Sequence, residues 1–253
     1  MTQNDPSASL TAINTQRETP GFGERRFGAV NWLGLETLFI KEIRRFMKVS
    51  FQTIFAPLIS TLLFLLVFIQ AMDGRAAVDG VPYVEFLAPG LIMMAILTNA
   101  FANSSSSIII GKVQGSIVDV LMPPLSASEL LVAFVAGAAC RGLLVAVVTA
   151  LTSALFMAMS GSPMHVVNPW AVAYYSTFAA LMFGMLGVIG GVWADKFDQL
   201  AAFTNFVITP LTFLSGTFYA IKSLPEPFYS ISHINPVFYL IDGFRYGFTG
   251  VAE

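Results

Sequence analysis

From Phe51 to Ala71 the chain runs without one charged residue, and a helix of about 20 such residues is what crosses the hydrocarbon of a bilayer. Four comparable stretches follow: Phe86–Ile110, Leu130–Met159, Trp170–Val192 and Leu200–Ile221. In water they would expose far more apolar surface than a soluble domain tolerates. The composition agrees, with only 11% charged residues and a mean hydropathy of +0.73, against about 25% charged in ordinary globules. The expectation is an all-α integral membrane protein with five transmembrane helices.

Several chemistries drop out on residue types alone. A net charge of −2 leaves no basic excess to hold nucleic acid. One cysteine, Cys140, forms no intramolecular disulfide, and no CxxC or HExxH offers a metal site. The glycine-and-lysine phosphate cradle GxxxxGK[ST] is absent, Gly111-Lys112 being followed by valine, so any ATP-driven work must come from another chain. An intramembrane serine protease needs a histidine at membrane depth, whereas His165 and His233 fall outside the expected spans. No catalytic residue is therefore assigned, and the chain reads as a non-enzyme. An ion-coupled secondary transporter would want paired acids near mid-depth, and the spans hold none there. That reading and a non-transporting scaffold or channel stand as the alternatives.

Orientation follows from Lys and Arg, which are retained on the cytoplasmic side. Arg17, Arg25, Arg26, Lys41, Arg44, Arg45 and Lys48 precede the first span, and Lys112 and Lys196 share its side if all five stretches cross. Only Arg75, Lys222 and Arg245 fall opposite. The N-terminus is expected in the cytoplasm, with residues 1–28 a flexible tail lacking the apolar core of a signal peptide and residues 29–253 the membrane domain. The charged turn Asp195, Lys196, Asp198 folds the last two spans into a hairpin. The third stretch is overlong, and its lipid segment is expected from Gly142 onward. Arg141 at its head reads either as a charge on a substrate or ion path or as an interfacial anchor, its position suiting the anchor better.

Other segments neither cross nor float. Between Asn31 and Val49, Trp32, Leu35, Phe39, Ile43 and Phe46 recur at helical spacing among Glu36, Lys41, Arg44, Arg45 and Lys48, which predicts an amphipathic interfacial helix. In the stretch Gly111–Ser126, Ser116 is placed to cap a helical turn or two that Pro123 must end. Ile117, Leu121 and Met122 there need cover, from a partner or from the chain's own helices. After the fifth span, pieces around Leu224–Tyr229 and Asn235–Asp242 are too short to cross and are broken by Pro225, Pro227 and Pro236. They predict short re-entrant helices, with Tyr229, Tyr239 and Tyr246 at headgroup level. Gly184, Gly187, Gly190 and Gly191 form a small-residue strip for close helix packing within the chain, with Ala138 and Gly142 a similar strip in the third span.

The run Pro210-Leu-Thr-Phe-Leu-Ser-Gly-Thr-Phe-Tyr219, followed by Leu224-Pro225, Asn235-Pro236 and Asp242-Gly-Phe-Arg245, resembles the C-terminal pattern of the membrane (permease) subunit of bacterial type-2 ABC exporters. Phe197-Asp198-Gln199 and the Gly115–Pro124 loop match that family more loosely. The resemblance extends over about residues 30–250. It implies a multi-pass inner-membrane permease that pairs with a second copy and with cytoplasmic ATPase subunits, surrounded by membrane lipid. ATP and Mg would be held by the ATPase, with no cofactor on this chain. The family rests its N-terminal helix and first cytoplasmic loop on the ATPases, which implies coupling roles for Lys41 and Arg44 and for Gly115, Ser116, Asp119, Leu121, Met122 and Pro123. It also implies a substrate path along the second and fifth spans at the dimer axis, through Phe101, Asn103, Phe206, Thr209, Phe213 and Thr217. Phe206 and Phe213, seven apart, read equally well as lipid-facing or core residues. The implied cargo is an amphipathic or lipid-linked compound (drug, lipid or glycan-linked). The family usually has six spans, the sixth after Arg245, and five are legible here.

Overall fold

The computed structural model describes residues 30–72, 81–161, 164–223, 225–226 and 228–251. The expected tail, residues 1–28, and Arg75 lie outside the described residues. The chain divides into two units, Met1–Asn31 and Trp32–Glu253, and the second is the helical bundle. Among the described residues there is no strand. Four helices among the described residues are long and apolar enough to cross a membrane, as expected of an all-α integral membrane protein.

The first helix, α1 (Trp32–Lys48), is the anticipated amphipathic one, but its phase differs from the apolar reading. Leu38, Glu42 and Phe46, each four residues apart, are buried, while Trp32 is 72% exposed. A carboxylate sits in the middle of the buried face because it finds hydrogen-bond donors there, and hydropathy does not register donors. Helix α2 (Ser50–Met72) packs through Thr61 and Leu65 and leaves Phe51, Ile59, Leu63 and Leu66 exposed.

Helix α3 (Tyr83–Val113) is the centre of the bundle, buried along most of its length. The loop after it holds α4 (Ile117–Leu121), and α5 (Ala127–Met159) then starts from a full capping box, Ser126 Oγ accepting from Glu129 N while Glu129 accepts from Ser126 N at 2.7 Å. The overlong third stretch is thus one continuous helix, about 50 Å by its rise. Helix α6 (Pro169–Trp193) has Asn168 as its cap and proline at its first position.

Beyond α6 come α7 (Phe197–Phe203), a π-helical turn (Thr204–Ile208) and α8 (Thr209–Phe213). Pro210 has no N–H to offer its helix, and the ladder just before it slips to wider bonds, with both N and Oγ1 of Thr209 donating to Thr204 O. The helix stops at Phe213, short of the expected Ile221, and Gly216 turns the chain at φ +75°. The fifth stretch is therefore a shorter, interrupted helix of about 25 Å rather than a fifth copy of the long ones.

Two short helices close the chain as the proline breaks predict: α9 (Phe228–Ile234) and α10 (Pro236–Thr249), the second capped by Asn235 and ended by Gly250 in the left-handed region. The main core brings together α3, α5, α6 and α10 around Ile96, Phe183, Ile241 and Phe244. The glycine strip lies inside it, as anticipated. Ser104 Oγ donates to Gly184 O at 2.8 Å, a side chain on Gly187 would meet Phe101 O at 2.5 Å, and Gly142 faces Ala100 and Ala180.

Candidate functional site

One end of the bundle collects α1, the end of α3, the start of α5 and the end of α6, and its centre is polar. Glu42 is fully buried and receives Arg45 Nε at 3.2 Å and Nη2 at 3.1 Å on one oxygen, with Ser107 Oγ donating to the other at 2.7 Å. Arg45 reaches on to Asn103 O at 2.6 Å, Asn103 Oδ1 at 2.9 Å and Ser106 Oγ at 3.2 Å. Gly137 of α5 makes the space, since a Cβ there would stand 2.7 Å from that of Glu42. A buried carboxylate is tolerated only when paired and hydrogen-bonded, and here both conditions are met. The interfacial helix is thereby riveted to the bundle rather than merely resting beside it.

The loop after α3 is held at its root. Lys112 Nζ donates to Val192 O and Ala194 O and pairs with Asp195 at 3.7 Å, while Gln199 accepts from Asp195 N at 2.7 Å. The Phe197-Asp198-Gln199 motif therefore fixes the turn beside this loop. Gly115 turns at φ +73°, and Ser116 takes the cap position of α4 without capping it. Its backbone is αR, whereas a capping side chain is aimed from the extended region. Ile117 tucks against Gly111, so it is not among the uncovered residues. Val118, Leu121 and Met122 are 53%, 61% and 76% exposed beside exposed Asp119 and Pro123. Lys41 and Arg44 are exposed on α1, where with Thr37, Ile40 and Lys48 they line a hollow of about 610 Å³.

At the other end the motif residues knot together. Arg245, assigned by charge counting to an outer loop, is only 3% exposed. Its Nη2 donates to Gly216 O at 2.7 Å, its Nε to Phe86 O at 3.3 Å, and its guanidinium lies 3.7 Å from the centre of the Phe86 ring. Asn235 Nδ2 donates to Leu211 O at 2.6 Å, and the Thr217 carbonyl lies where Gly90 leaves space for it. Arg245 is thus a packing cation and leaves the charge tally.

The six residues expected on a substrate path do not converge within one protomer. Phe101 is buried and stacks on Phe203 at 5.9 Å; Asn103 belongs to the Glu42 junction. Thr217 is fully buried with its hydroxyl on Thr212 O at 3.0 Å. Phe206 is 82% exposed, Phe213 is partly exposed and stacked on Phe218, and half-buried Thr209 lies between them in sequence.

The profile of the ABC-2 type transporter family matches residues 34–249. The chain belongs to that family. It is 36% identical over 224 residues to the inner membrane transport permease YadH of Escherichia coli K12, covering 88% of this chain and 85% of that one. Nodulation protein J of Rhizobium leguminosarum bv. viciae is 26% identical over 227 residues, 86% and 82% of the two chains. As an ABC-2 type permease subunit, the protein is a multi-pass inner-membrane transport component rather than an enzyme. The family implies an ATP-binding partner subunit of the general kind.

Within this ABC-2 frame, Glu42, Ser106 and Ser107 are the residues that reading the sequence passes over. An acid three places before Arg45 on a basic amphipathic helix is the available signal, since i,i+3 spacing puts both on one face. Arg141 is the second surprise. It stands against Asn99 of α3, Nη2 to Oδ1 at 3.3 Å, and lines a cavity between α2 and α3, so it is not a free interfacial anchor.

Proposed function

We propose that this chain works as one half of an exporter, pairing with a second copy and driven by a separate cytoplasmic ATP-binding cassette subunit. The observation that carries the reading is the end of the bundle described above, where an exposed apolar turn, Val118, Leu121 and Met122, projects from a loop anchored by Lys112. Apolar groups held out on a rigid stem are a docking surface, and Lys41 and Arg44 on α1 add a basic patch at the same end. The N-terminus and this end face the cytoplasm, in keeping with the excess of Lys and Arg there. Movement of the ATPases would press on the α4 loop and on α1, and the Glu42–Arg45–Asn103 junction would pass it to α3.

The cargo is an amphipathic or lipid-linked molecule. Support comes from the apolar surfaces of Phe206 and Phe213, exposed on the fifth helical stretch and available to line a path shared with a second copy. Phe101, Asn103 and Thr217 would then act behind that surface, holding the helices that form it.

The test is co-expression with an ATP-binding cassette subunit, purification in mild detergent, and assay of ATP hydrolysis in vesicles. A stable complex whose hydrolysis is stimulated by a candidate cargo is the expected result. Failure to recover any cassette subunit would overturn the proposal.

A further inference from the structure

A groove of about 730 Å³ runs between α2 and α3, within the size range of small-ligand sites. It is not enclosed, and α2 has an exposed apolar flank beside it. Its polarity is graded. At the α1 end stand Arg45 and Ser106, with Asn99 and Arg141 further in, and at the far end Phe64 and Leu91. Along α2 the lining extends from Gln52 to Phe64, about 18 Å of helix rise.

Charge inside the groove does not balance. Arg45 already has Glu42 as its counter-ion. Among the described residues Arg141 has only the neutral amide of Asn99 at a long 3.3 Å, and its buried Nε has no hydrogen-bond partner there. No acidic side chain lies among the described lining residues. An intramembrane guanidinium in this condition is costly, and one anion would complete it. A guanidinium fork suits phosphate oxygens in particular.

We propose that the groove binds an anionic phospholipid from the leaflet on the α1 side, its phosphate on Arg141, with Arg45 at the mouth and one acyl chain along Phe64 and Leu91. The order from polar to apolar is that of a lipid in that leaflet, headgroup outward and chain toward the midplane. The site lies within one protomer and stands whether or not the transport reading holds.

The test uses the full chain in nanodiscs of equal parts phosphatidylglycerol and phosphatidylcholine with matched chains, with retained lipid read by native mass spectrometry. The wild type is expected to retain phosphatidylglycerol over phosphatidylcholine by about tenfold, because both carry the phosphate but choline brings a further cation beside Arg141 and Arg45. Arg141→Gln should lose that preference, Arg141→Lys keep most of it, and Lys196→Gln, in the exposed turn after α6, leave it unchanged. If Arg141→Gln does not fold, Ser60→Phe, which narrows the groove from the exposed side of α2, should remove the retained lipid with Arg141 intact. Equal retention of the two lipids by the wild type would overturn the proposal, as would unchanged retention in whichever of the two variants folds. Displacement of the lipid by inorganic phosphate alone would reassign the groove to a free ion and overturn it equally.

Discussion

Glu42 and Arg45 lie three apart on α1, yet what they hold is sixty residues away on α3. Arg45→Ala strands the fully buried Glu42, typically at about 3–5 kcal/mol. It is expected to lower the unfolding temperature in detergent accordingly, Glu42→Ala to cost less because Arg45 keeps Asn103 and Ser106, and the double variant to lose less than the sum of the two singles. Arg245 poses the same question at the opposite end. Arg245→Ala would take the guanidinium donor from the Gly216 carbonyl, at about 1–3 kcal/mol for a buried acceptor left unsatisfied, while the Phe86 carbonyl keeps its bond within α3. Limited proteolysis should then cut faster near Gly216, and an unchanged digestion rate would count against the knot.

Between helices, contact depends on what is missing from side chains. Along the α3–α6 seam a methyl group at Gly187 would run into Phe101 O at 2.5 Å and into Ser104 Oγ, whereas one at Gly184 would meet Ala138 Cβ at 3.2 Å. Backbone cannot step aside as a side chain can. Gly187→Ala is therefore expected to destabilise by about 1–3 kcal/mol and Gly184→Ala by clearly less, in a paired measurement of thermal unfolding. The π turn is set the same way, by a donor that Pro210 does not have. The fifth apolar stretch ends early, Gly216 turns it back onto α3, and Asn235 ahead of α10 ties to Leu211.

The bundle as a body has one anchored polar end and one knotted end, and the proposed coupling to a partner is tested at the first. Leu121→Asp with Met122→Asp should weaken co-purification with a cassette subunit by about tenfold or more while leaving the unfolding temperature in place, because both side chains are exposed. Orientation is tested separately. In a Cys140→Ala background, Ser116→Cys should react only with reagent on the cytoplasmic side and His165→Cys only with reagent outside; the reverse pattern would invert the proposed topology.

Long apolar runs made the four long helices legible, because hydrophobic length is a local property that neighbours in the chain reveal. Proline marked the break at Pro236 for the same reason, and motif content pointed to Asn235 and Arg245 before their partners were visible, but the interruption at Pro210 and Gly216 lay hidden inside one apolar run that hydropathy reads as a single span. Rotation and partnership were not legible. Whether Glu42 points to solvent or to Ser107, whether Arg141 snorkels or faces a groove, and whether Phe101 or Phe206 is the buried ring depend on helices distant in sequence meeting at a given phase. Hydropathy sums what a segment dislikes about water; it carries no record of which donor meets which acceptor, and that matching comes into being only when the helices pack.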